Sequence, residues 1–222
     1  TWEMSTTMYG HIDVKEANIA VNSAIDHGIT LFDTAEVYGP YHSEELLAEA
    51  LGNKRKEIIL VSKVGFQYDE NGRNVGRNSQ YAHVIERAEG CLRRLRTDFL
   101  DLLLIHWPDH NTSFEEPISA LEQLKHDGKI RHYGVSNFTP EMIDECEKYG
   151  HITTNQVGYH MFDRRMESKV LPYCLDKNIG FMAYGTLGFG LLSGAFTSET
   201  TFGEGDWRSS GNAFRLPLFQ TE

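Results

Sequence analysis

The stretch Phe32-Asp33-Thr34-Ala35-Glu36-Val37-Tyr38-Gly39 decides how the rest of the chain is read. The apolar run Ile29 to Phe32 predicts a short strand that places Asp33 at its last residue, and Tyr38 follows five positions later, where the chain turns toward the next helix. A carboxylate at the end of a buried strand is costly unless a cation or hydrogen-bond donor meets it. The remaining sequence is therefore searched for that partner.

Upstream, Asp13 with Glu16 has the spacing of a capping box for a helix running to about His27, with Ala17, Ala20, Val21, Ala24 and Ile25 inward and Gly28 as its stop. Downstream, Ser43 is the expected cap of a helix through Leu46, Leu47, Ala50 and Leu51 that ends at Gly52. Ile58 to Val61 reads as a buried strand leading into Ser62-Lys63, and Gln67 to Asn78 as a polar loop. A helix near Ser79 to Leu95 precedes the strand Leu100 to Ile105, which ends in His106-Trp107-Pro108-Asp109. A helix around Phe114 to Asp127, a strand closing on Val135-Ser136-Asn137 and a helix begun by Thr139-Pro140 come next. The strands Ile152 to Val157 and Ile179 to Tyr184 flank a helix near Glu167 to Lys177.

Alternation of strand and helix with strands of buried type implies an α/β protein with a parallel sheet. Its polar strand-end residues are Asp33, Lys63, His106, Ser136, Gln156 and Tyr184, separated by 30, 43, 30, 20 and 28 residues, close to one strand-helix unit apiece. Chemistry-bearing residues at the carboxyl ends of successive strands predict a (β/α)8 TIM barrel. An open doubly wound sheet is the runner-up, although the glycine-rich phosphate loop expected after its first strand is absent.

The 222 residues, 40% of them hydrophobic, suffice for one well-buried domain over 1–222. With 21 basic against 32 acidic residues and a net charge of −11, nucleic acid and anionic membranes are unfavourable partners, whereas a small molecule in a local pocket is not. Cys91, Cys146 and Cys174 are odd in number and lack metal-site spacing, and no apolar run reaches the ~20 residues of a membrane span. Reduced thiols and a cytoplasmic setting are the expectation. His106-x-x-Asp109-His110 resembles a metal-ligand cluster, but Pro108 disfavours a helical arrangement, so no metal is assigned. His42, His132 and His160 read as surface or loop residues.

Asp33, Tyr38, Lys63 and His106 bring complementary chemistry to three successive strand ends. A phenol with a reference pKa of about 10 is a poor acid at neutral pH unless a cation stabilises its anion, and Lys63, held by Asp33, is the expected cation. His106 could hydrogen-bond the same substrate oxygen. Taken alone, Asp33 reads as a helix cap and Lys63 as a solvated lysine.

Together, Phe-Asp-Thr-Ala-Glu-x-Tyr-Gly, Val-Ser-Lys, Ile-His-Trp-Pro-Asp, Gly-Val-Ser-Asn-Phe and Asn-Gln-Val, in that order from Thr1 to about Arg215, resemble the aldo-keto reductase family. The resemblance implies a (β/α)8 barrel that reduces aldehydes and ketones to alcohols with NADPH, NADH being the open alternative. It assigns Tyr38 as general acid, Asp33 and Lys63 as its tuning pair, and His106 as the residue that orients the carbonyl. Ser136, Asn137 and Gln156 would bind the nicotinamide carboxamide, with Tyr184 on the ring. Gly185, Leu187 and Gly190 belong to the cofactor loop, where Gly185 replaces the family's usual serine. Trp2 and Trp107 are the expected aromatic wall of the substrate pocket. The polar, glycine-containing segment 196–222 is expected to form a mobile lid. A cofactor-binding regulatory protein of the same fold, with little turnover and a protein partner, is the alternative reading. Six complete strands are countable, with Thr1-Trp2 in the place of the loop after a first strand. The sequence is therefore expected to be part of a longer barrel whose first and eighth strands are missing.

Overall fold

The protein is described by a computed structural model covering residues 1–222 apart from 6, 7, 11, 211–213, 215 and 220–222. Arg215 and Glu222, the ends of the sequence match and of the expected lid, lie outside the described residues. Six parallel strands form one sheet in the order in which they occur along the chain. These are β1 (Leu31–Asp33), β2 (Ile59–Val64), β5 (Leu100–Ile105), β6 (Ile130–Ser136), β7 (Thr154–Gly158) and β8 (Gly180–Tyr184). A separate antiparallel pair, β3 (Phe66–Tyr68) and β4 (Asn74–Arg77), lies between β2 and the following helix. The sheet curls, and helices connect its strands in the manner of a (β/α)8 barrel.

The strands are held by apolar burial. Leu60, Val61, Val64, Leu100, Leu103, Leu104, Ile105 and Val135 are at most 1% exposed, so each contributes roughly 1.5–3 kcal/mol from its side chain. Against them lie α3 (Tyr81–Arg94), through Val84, Ala88 and Cys91, and α4 (Glu115–His126), through Ile118, Leu121 and Leu124. All three cysteines are free and buried.

Helix α1 (Val14–Asp26) starts as expected, with the Asp13 carboxylate accepting from the Lys15 amide, but Ala20 faces solvent instead of the core. The expected cap at Ser43 is corrected. Helix α2 (His42–Leu51) begins after Tyr41, which takes a left-handed conformation at φ 71°. Ser43 is already helical and buried, and its hydroxyl donates to the Thr1 carbonyl at 3.1 Å. The expected loop from Gln67 to Asn78 is also corrected, since its two ends pair as the β3–β4 hairpin around a turn in which Asp69 Oδ1 accepts from the Asn71 and Arg73 amides. Helices α5 (Pro140–Cys146) and α6 (Val170–Asp176) complete the connections, with the Thr139 hydroxyl capping α5.

Register brings the polar strand ends to one side. Asp33 pairs with Val61, Lys63 with Leu104, Ile105 with Val135, Ser136 with Gln156 and Gly158 with Tyr184. The His106 amide continues the ladder by donating to Val64 O at 2.9 Å.

Candidate active site

Past β1 the backbone stays tied to β2. Thr34 N donates to Val61 O and Glu36 N to Lys63 O before the Tyr38 amide closes a turn on Ala35 O. Gly39 then turns at φ 76°, where a Cβ would collide with the Ser5 carbonyl oxygen. This path folds Tyr38 back over the end of β2. Lys63, fully buried, donates to Asp33 Oδ1 at 2.5 Å, to Thr34 O at 2.8 Å and to the Tyr38 hydroxyl at 3.3 Å. Its three protons therefore each have an acceptor. Asp33 Oδ2 accepts from Gln156 Nε2 at 2.8 Å, so the carboxylate links β2 to β7 across the sheet.

His106 sits edge-on to the Tyr38 ring at 5.8 Å and to Phe66 at 5.3 Å, and its Nδ1 is buried with no hydrogen-bond partner among the described residues. Burial, reinforced by Lys63 and Arg77, holds its pKa well below the ordinary histidine value. The ring is therefore a neutral imidazole. Burial also lowers the pKa of Lys63, against the opposing pull of Asp33. For Tyr38 the expected acidification is corrected. Burial, then Asp33 and Glu3, raise its pKa well above the ordinary phenol value, so the resting pocket keeps the proton on the hydroxyl.

Thirteen residues are singled out by sequence, and twelve of them line one pocket of about 890 Å³. The other, Lys63, lies behind its wall. Next to this cluster, Ser136 Oγ donates to Gln156 O and accepts from Asn137 Nδ2, which also reaches His106 O at 3.1 Å. Asn137 adopts φ 65°, and its Oδ1 accepts from the Tyr184 hydroxyl at 3.0 Å. The Tyr184 phenol is pushed up to about 12, chiefly by burial. Gly185 and Gly190 take φ 67° and 102°, and Leu187 is 60% exposed. A polar rim of serine, asparagine and glutamine beside a tyrosine ring suits a flat heterocycle that carries a carboxamide. The nicotinamide group implied by the sequence fits this rim.

Trp2 stacks on Tyr38 at 6.3 Å, and Trp107 lies under the Arg77 guanidinium at 5.1 Å. Trp207 stacks on Trp2 at 5.4 Å and donates its amide to Met8 O, so part of the segment after Phe196 is laid against the start of the chain. Asp109, from the metal-like cluster, instead accepts from the Ser79 and Asn111 amides and the Thr112 hydroxyl. His160, expected on the surface or in a loop, lies in a loop but is buried, with its ring 5.9 Å from Phe189.

Sequence reading misses Glu36. Its fully buried carboxylate accepts from the Gly65 and Phe66 amides, both at 3.1 Å, and from Arg87 Nε at 2.6 Å. This fastens the turn that follows Lys63. Its only signal was its place inside the quoted motif, between Asp33 and Tyr38.

The Aldo/keto reductase family model matches residues 1–222. The chain belongs to the aldo/keto reductase family. It is 39% identical over 222 residues to the aldo-keto reductase YhdN of Bacillus subtilis, covering 99% of this chain and 66% of that protein. The glycerol dehydrogenase AKR11B4 of Gluconobacter oxydans superposes with a TM-score of 0.86 at 38% identity, over 99% of this chain and 68% of that one. An aldo/keto reductase of Klebsiella pneumoniae, solved with NADP and acetate, gives a TM-score of 0.72 at 34% identity, over 87% of this chain and 67% of that one. The chain spans 56–66% of the length of the curated relatives it matches.

Proposed function

We propose that the protein is an NAD(P)H-dependent reductase of small aldehydes and ketones, in which Tyr38 donates the proton. The observation that carries this reading is Lys63 Nζ bonded at once to Asp33 and to the Tyr38 hydroxyl, with His106 beside the same phenol. The family relationship and the relative solved with NADP support a nicotinamide cofactor, NADPH foremost. When bound, the reduced cofactor supplies hydride to the carbonyl carbon.

The residues of this chain do the rest. Neutral His106 can donate a hydrogen bond to the carbonyl oxygen without competing for the proton. Tyr38 keeps its proton until charge develops on that oxygen, because an alkoxide is a stronger base than a phenolate even when burial has raised the phenol. The Lys63 ammonium then stabilises the phenolate it touches, and Asp33 holds that ammonium in place. Ser136, Asn137 and Gln156 would hold the carboxamide, Tyr184 the ring, and Gly185, Leu187 and Gly190 the diphosphate end. Trp2 and Trp107 would exclude water around the substrate, with the segment after Phe196 as a cover.

The test follows loss of nicotinamide absorbance over a panel of aldehydes and ketones, with NADPH and with NADH, for the wild type and Tyr38→Phe. Turnover with at least one carbonyl, abolished in the variant, is the expected result. Equal turnover by the two proteins would remove Tyr38 as the acid.

A further inference from the structure

The β3–β4 hairpin contributes a cation that the mechanism above does not use. Arg77, the last residue of β4, donates from a guanidinium nitrogen to Pro108 O at 2.9 Å and lies over the Trp107 ring at 5.1 Å. Its side chain is exposed, so neither contact is imposed by core packing. Two residues on, the Ser79 amide donates to Asp109 Oδ2 at 3.1 Å. The hairpin exit is thus hydrogen-bonded to the segment 106–109 at two points, Pro108 and Asp109. That segment holds both His106 and the wall residue Trp107.

We propose that Arg77 is the positioning residue of the substrate-facing wall, fixing Trp107 and Pro108 so that the His106 imidazole is presented to the carbonyl oxygen. The inference rests on the carbonyl-reductase reading. A planar guanidinium can stack on an indole and still direct an in-plane N–H at a carbonyl, which an ammonium does less well. The contacts also have an electrostatic side. The groups recorded against His106 are Lys63 from β2, Tyr38 from the segment beyond β1, Phe66 from β3, Asn137 after β6, and Arg77 from β4. Of these, Lys63 and Arg77 are cationic and disfavour imidazolium. With Nδ1 buried and unpartnered among the described residues, a second ring proton would have no acceptor there. Arg77 therefore works with Lys63 to keep the ring neutral.

Arg77→Ala and Arg77→Lys in the full-length protein test this, read by steady-state kinetics, cofactor binding followed by fluorescence, and NMR titration of the His106 imidazole. Arg77→Ala should raise KM for the carbonyl substrate about 10-fold, with kcat within about 3-fold and cofactor Kd unchanged. Its His106 midpoint should rise, because a cation that disfavours imidazolium is removed. Arg77→Lys should keep the wild-type midpoint, because the charge remains, yet recover KM only in part. An unmoved KM with an unmoved midpoint in Arg77→Ala would overturn the proposal, as would KM and cofactor Kd rising together. Should the wild type turn over no carbonyl at all, the reductase reading fails, while the histidine titration still decides on Arg77.

Discussion

The two sides of the pocket are built differently. On the Tyr38 side, β2 buries five of its six residues, and every proton of the Lys63 ammonium is already accepted within the protein. On the Tyr184 side, β8 buries none of its five, and the chain beyond it runs through Gly185, Gly188, Gly190 and Gly194, all at positive φ. One side rests on a buried strand, the other on a strand with no buried residue and a glycine-rich loop. Proton-donating geometry within about half an ångström of its working arrangement has to be fixed in advance by surrounding bonds. A cofactor site can be completed by the ligand itself. Gln156, on β7, joins the two sides by donating to Asp33.

Substitutions on the Tyr38 side should therefore damage chemistry and folding, and those on the Tyr184 side mainly affinity. The largest effect is expected from Lys63→Met, which leaves Asp33 without its cation and Tyr38 without its stabiliser. Turnover should fall about 10²–10⁴-fold, and urea unfolding should show a loss near 3 kcal/mol, the low end for a broken buried pair because Asp33 opens onto the pocket. Unchanged stability would mean that the ammonium is not held as described. Glu36→Ala should come next. It strands the Gly65 and Phe66 amides and Arg87, at a cost of about 2–4 kcal/mol in chemical denaturation. Glu36→Gln, which can still accept from both amides, should lose less, and equal losses would place the whole effect in the Arg87 pair.

A smaller effect is expected from pH. The folded-state pKa of His106 is depressed, so the stability tied to its neutral form is present above the ordinary value of 6.5 and is lost as pH falls toward the folded value. Between pH 6.5 and 5.5 the wild type should lose up to ~1 kcal/mol more than His106→Gln. Parallel stability curves would show that the ring is not held neutral. Smallest of all, Tyr184→Leu should weaken cofactor binding about 10-fold or less while kcat stays near the wild-type value, consistent with one lost ring contact. A kcat collapse there would erase the contrast between the two sides.

Much of the fold was legible because buried parallel strands leave continuous apolar runs, such as Ile58 to Val61 and Leu100 to Ile105, each ending in a polar residue. The β3–β4 hairpin was not. Both strands lie outside the core, with β4 exposed throughout, so no apolar alternation marks them against a polar loop. Ser43 has the chemistry of a cap, but Tyr41 ends the preceding turn in a left-handed conformation and shifts the helix start. At the site, Asp33, Tyr38, Lys63 and His106 could be named from type and spacing, and the structure gathers them. The ionisation of Tyr38 could not be read. A neighbouring cation argues for a lower pKa, and only coordinates reveal that desolvation and two carboxylates outweigh it. Glu36 and Arg87, 51 residues apart, form a pair that no local pattern announces.

The central claim is that proton donation and cofactor binding belong to separate sides of one pocket. It is tested most directly by measuring, for Tyr38→Phe, the NADPH dissociation constant and the single-turnover rate of carbonyl reduction on the same preparation. The account predicts a dissociation constant within about 2-fold of the wild type and a rate lower by about 10²–10⁴-fold. A wild-type rate, or a rate lost only in proportion to weakened NADPH binding, would contradict it.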